Sequence, residues 1–101
     1  MIHMQLIARA DEDLQGLLRA AIKDGQIRSF EISQVKGGLR IRHKKRLGEI
    51  RVDRTQGPLL ITILCKNRAK EWQLLEAFVG RLAYHFGNEI AGINIQFDVP
   101  E

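Results

Sequence analysis

The sequence predicts a two-layer α+β sandwich: a mostly antiparallel sheet of five to six strands with two helices on one face. Two segments repeat apolar residues every three or four positions and end near glycine. The other segments alternate apolar with polar residues at a period of two, and glycine-bearing turns connect several of them directly.

Ile2, Met4, Leu6 and Ala8 alternate with His3 and Gln5, which predicts a half-buried first strand. Met4 behind Met1-Ile2-His3 reads as an alternative start, so His3 receives no functional weight. Asp11-Glu12-Asp13 then opens a helix, because carboxylates accept from free backbone N–H groups and oppose the positive end of the helix dipole. Its apolar stripe is Leu14, Leu17, Leu18, Ala21 and Ile22, and Gly25 supplies a left-handed stop.

A second strand is expected over Ile27 to Val35, ended by a turn at Lys36-Gly37-Gly38. Leu39 to Val52 reads as a hairpin with Leu39, Ile41, Ile50 and Val52 facing the core and Arg40, Arg42, Glu49 and Arg51 facing away. Its tip is His43-Lys44-Lys45-Arg46, with Gly48 as a bulge residue. Thr55-Gln56-Gly57-Pro58 is the next turn. The apolar run Leu59 to Cys65 requires cover on both faces, which places it centrally or against another subunit. Asn67 caps a long helix to Phe86, with Trp72, Leu75, Phe78, Val79, Leu82 and Phe86 facing inward, Tyr84 facing outward and Gly87-Asn88 closing it. Ile93, Ile95, Phe97 and Val99 alternate with polar residues in the last strand, and Gly92 marks an irregularity. Without the central hairpin the remainder follows the β-α-β-β-α-β order of a ferredoxin-like domain. At 101 residues, one domain over 1–101 is expected.

Charge is unevenly distributed. Lys36 to Lys70 holds eleven basic and two acidic residues, a net +9, while the other 66 residues hold five basic and ten acidic, a net −5. The chain total of +4 therefore conceals a strong dipole, which attracts and orients an anionic partner. Two clusters carry it. Arg40, Arg42, Arg51, Lys44, Lys45 and Arg46 lie on the hairpin, where the ordinary explanation is a solvated edge guarded against strand pairing. Lys66, Arg68 and Lys70 surround the start of the second helix, where cations oppose the dipole and only Glu71 compensates locally. A bound anion would relieve that placement.

Other chemistry is not supported. Cys65 in an apolar strand reads as a small buried hydrophobe, and no sequence feature sets it beside His3, His43 or His85. Metal-ligand spacing and phosphate or dinucleotide glycine loops are missing, so neither metal nor cofactor is expected. His85 reads as a helix C-terminal cap. Phe30, Trp72, Phe78, Phe86 and Phe97 are expected in or beside the core, which leaves few stacking platforms for single-stranded RNA. No apolar run approaches the roughly 20 residues of a membrane span, and one cysteine fits a reducing cytoplasm. The expected function is therefore binding rather than catalysis: a polyanion, RNA or DNA, held at its phosphates by Arg40, Arg42, Lys44, Lys45, Arg46, Arg51, Lys66, Arg68 and Lys70. The alternative is a homo-oligomeric adaptor that associates through an apolar sheet face bearing Ile7, Leu60 and Leu64.

Overall fold

The computed structural model describes residues 1–53 and 57–98. In chain order the elements are β1 (Ile2–Ala8), α1 (Leu14–Lys23), β2 (Phe30–Val35), β3 (Gly38–His43), β4 (Glu49–Asp53), β5 (Leu59–Leu64), α2 (Arg68–Phe86) and β6 (Ile90–Phe97). Part of the expected 55–58 turn, together with Arg54 and Val99, lies outside the described residues.

The six strands form one sheet in the order β2-β3-β4-β5-β1-β6, with every neighbouring pair antiparallel. With β3 and β4 set aside, the order β2-β5-β1-β6 interleaves two strand-helix-strand units in the ferredoxin-like manner. The hairpin β3–β4 is an insertion that widens the sheet.

Period-two alternation decides which side chains meet. Ile2, Met4 and Leu6 of β1 stand opposite Ile63, Ile61 and Leu59 of β5. Ile63 and Ile61 also oppose Ile50 and Val52, which oppose Ile41 and Leu39. These residues are all buried, and α1 and α2 cover them through Leu14, Leu18, Ala21, Leu74, Phe78, Leu82 and Phe86. Full burial of one such aliphatic side chain stabilises the fold by about 1.5–3 kcal/mol, so this ladder dominates the core. Of the two placements expected for β5 it takes the central one, and Leu39, Ile41, Ile50 and Val52 face the core as expected, with Ile41 set against Ile50.

Several local expectations need correction. The second strand begins at Phe30 rather than Ile27, because the Ile27 N–H donates to Ala21 O at 3.1 Å and so finishes α1. Of the three acids before α1, Asp13 is the cap: its Oδ1 accepts from Gly16 N at 3.1 Å. Gly25 is left-handed as expected (φ 81°), whereas Gly87 stays right-handed at φ −57°. The inward face of α2 is Glu71, Leu74, Phe78, Leu82 and Phe86. Trp72, expected inside, is 53% exposed, and Phe97 is 54% exposed. The irregularity at Gly92 is real, with the β1–β6 register shifting between Ile7 and Ala8. No helix among the described residues is long and apolar enough to cross a membrane.

Candidate functional site

The sheet face away from the helices is laid out in rows. One runs Ser33, Arg40, Arg51, Thr62, His3, Gln96 across all six strands, and its neighbour sets Asp53, Leu60, Gln5 and Asn94 side by side. Leu60 and Ile7 are exposed on this face, as expected from the sequence, but polar side chains surround Leu60. Arg40 and Arg51 both pair with Glu49, at 3.4 and 3.3 Å, and Glu31 stands opposite Arg42. The arginines on the strands therefore have carboxylates close by. For Arg40 and Arg51 the ordinary reading of a solvated, charge-balanced face is sufficient.

The remaining cations differ. Lys44, Lys45, Arg46, Lys66, Arg68 and Lys70 are exposed and form no ion pair among the described residues. They gather at one end of the sheet, where the β3–β4 tip meets the β5–α2 junction. An open cleft of about 690 Å³ lies there, lined by Arg42, His43 and Arg46 from the hairpin and by Lys66 and Asn67 from the start of α2, with Leu47, Leu64 and Cys65 contributing apolar surface and Glu49, already engaged by Arg40 and Arg51, as its one carboxylate among the described residues. Arg42, Arg46 and Lys66, drawn from both predicted clusters, thus share one cavity. Arg68 and Lys70 extend the charge along the first turn of α2, and Lys44 and Lys45 extend it along the tip.

The local chain explains this shape. Gly48 adopts φ 103°, a left-handed conformation that other residues take only with strain, and a Cβ there would lie 2.7 Å from Leu64 O. Only glycine lets the tip approach the end of β5 so closely. The tip is held by Lys44 N donating to Ser29 O at 2.9 Å and Lys45 N donating to His43 Nδ1 at 3.0 Å. The second bond requires an unprotonated Nδ1. Burial first, then the charges of Arg46, Lys45 and Arg81, hold the His43 imidazole below its ordinary pKa. Arg46 also reaches α2, where its Nη1 donates to Gln73 Oε1 at 3.4 Å.

At the start of α2, Asn67 Oδ1 accepts from Lys70 N at 3.1 Å, the expected cap. Glu71 is buried, with one oxygen 3.0 Å from the Met1 amino group and the other accepting from Cys65 N at 3.3 Å. Its carboxylate is turned inward and is already engaged, so Lys66, Arg68 and Lys70 remain uncompensated at the positive end of the dipole. Reading the sequence placed Tyr84 outward, which holds, but missed Arg81 and the grouping of both with Arg46. Tyr84, 80% exposed, lines a second hollow with Arg46, Ala77 and Arg81 on the hairpin-facing flank of α2. Which flank would meet the hairpin depends on how the tip lies across the helix, and that is not written in α2 itself. His85 packs against Tyr84 and Phe86 rather than capping the helix, and its Nε2 is buried without a hydrogen-bond partner. Among the described residues no three of His, Cys, Asp and Glu group as metal ligands would.

Comparison with protein-family models, with curated proteins and with solved structures finds no match to this chain.

Proposed function

We propose that the protein is a binding module for a polyanion, RNA or DNA, held by phosphate contacts at the hairpin-tip end of the sheet. The observation that carries this reading is the convergence of Arg42, Arg46 and Lys66 on one cleft: none of the three forms an ion pair among the described residues, and the cleft's one carboxylate, Glu49, is engaged by Arg40 and Arg51. Arginine's planar fork donates two hydrogen bonds to a phosphate, and each neutralised phosphate releases counterions. Lys44, Lys45, Arg68 and Lys70 provide further contacts to either side. A phosphate beside the first turn of α2 also relieves the repulsion between the helix dipole and its three neighbouring cations. Arg40 and Arg51 play a smaller part, because they share the carboxylate of Glu49 and together with it keep only one net positive charge. Phosphate contacts position a nucleic acid without reading its bases, so sequence preference is weak. Cys65, the only cysteine, suits the reducing cytoplasm in which such a partner is met.

The test is a titration of labelled RNA and DNA at several salt concentrations. With about four to six phosphates neutralised, log K falls against log salt with a slope of about −0.9 per contact on duplex DNA. Changing Lys44, Lys45 and Arg46 together to Glu abolishes binding, and Lys66→Glu weakens it. The reading fails if no complex forms at about 50 mM salt, or if the triple variant binds as the parent does.

A further inference from the structure

We infer that β6 is a self-association edge: two copies of this chain pair antiparallel through β6 and join their sheets into one. β6 is an outer strand, bonded to β1 on one side and open on the other. Its sequence, Ile90 to Phe97, contains no charged residue and no proline over eight positions. Sheet proteins ordinarily protect a long outer strand with lysine, proline, inward charge or a bulge, and an unprotected edge is a template for another strand; the one irregularity of β6, at Gly92, lies near its start and leaves Ile93 to Phe97 in regular register. The opposite outer strand, β2, has six residues and an exposed Glu31.

Incomplete cover of the neighbouring surface points the same way. On the helix side, the β1 residues opposite β6 are 1% exposed, yet the β6 residues that face them are not fully buried: Ile93 and Ile95 are half-buried and Phe97 is exposed. Along α2, Ala77 and Arg81 lie on the flank toward the hairpin, while Trp72, Leu75 and Val79 lie on the other side of the buried stripe. Because the sheet order places the hairpin on one side of β5 and β6 on the other, that second flank is turned toward β6. Trp72 and Phe97 thus leave apolar surface uncovered beside an open edge.

The occupant that fits is a second copy. A two-fold axis perpendicular to the sheet keeps all helices on one side, so residues of like face must oppose each other. In the register centred on Ile95, Ile95 meets its own copy and Ile93 meets Phe97, all on the helix side. On the open face Asn94 then meets Gln96 of the copy; Asn94 Nδ2 donates to Gln5 Oε1 at 3.4 Å within the chain, and each amide still has donors and an acceptor to offer across the seam. Between the two strands themselves no like charges meet. This inference is independent of anion binding, whose residues sit on other strands.

Sedimentation velocity across the micromolar range decides it. The parent chain is expected to be a dimer, and the double variant Asn94→Lys/Gln96→Lys a monomer with unchanged far-UV circular dichroism, whose thermal midpoint no longer rises with protein concentration as the parent's does. Its side chains stand on the open face, so the core is untouched, and high salt, which screens the introduced repulsion, partly restores the dimer. Leu60→Ser, on the open face away from β6, leaves association unchanged. A monomeric parent chain, which would leave the edge to a foreign strand or to none, overturns the inference. So does a dimer that survives the double variant, or one that Leu60→Ser dissolves.

Discussion

Glu71 and His43 show how single side chains control the site end of the molecule. Among the described residues, the buried Glu71 carboxylate meets Cys65 N and the Met1 amino group. Glu71→Ala leaves the Cys65 N–H without its acceptor, so we expect a loss of about 1–3 kcal/mol in urea unfolding, with Glu71→Gln losing less. His43 sets a pH dependence. Its folded-state pKa lies below the unfolded value of about 6.5, so the unfolded chain binds the proton more readily. Stability is fully present above that value and declines as pH falls through the lower folded-state value. His43→Asn keeps an acceptor for Lys45 N but does not titrate; urea midpoints at about pH 5.5 and 7.5 should differ more for the parent than for this variant. Tyr84 is an exposed ring that shares a hollow with Arg46. Tyr84→Ala should weaken single-stranded RNA by up to about 1–3 kcal/mol and leave duplex DNA unchanged, measured by competition.

Two elements position the cleft, the hairpin tip and the first turn of α2. Gly48→Ala forces strain on a left-handed residue and crowds Leu64 O, at a cost of about 1–3 kcal/mol; thermal unfolding measures it, and anion affinity falls with it. At this scale the sequence was readable wherever one periodicity dominated. The α1 stripe, the hairpin faces and the central β5 follow directly from spacing three to four or two. The α2 face did not, because the largest apolar residues, Trp72 among them, drew the expected stripe to one side of the true one. The true stripe includes Glu71, which enters the core because Cys65 N and Met1 satisfy it, and no local pattern announces partners that come from β1 and the end of β5. Likewise the two basic clusters were visible as charge. Their meeting at one cleft was not, since it depends on the register of β3–β4 and the approach that Gly48 permits.

Across the whole molecule the chemistry is segregated. The sheet order separates the cation-bearing hairpin from the uncharged edge at β6 by two strands, so the proposed polyanion site and the proposed self-association edge are different surfaces. The two associations should therefore respond differently to salt. Raising it from about 50 to 200 mM weakens binding of a duplex with four to six contacts by roughly 10²–10³-fold. Dimerisation through an uncharged strand, followed by sedimentation over the same range, stays constant or strengthens. The position of Trp72 allows both to be followed without a label. It is the only indole in the chain, and it lies on the α2 flank opposite the one that Arg46 touches. Its ultraviolet emission moves to shorter wavelength and resists acrylamide quenching when a neighbouring subunit covers that flank. A polyanion that contacts Arg68, one helical turn from Trp72, moves the emission as well, and its share is the part that rising salt removes.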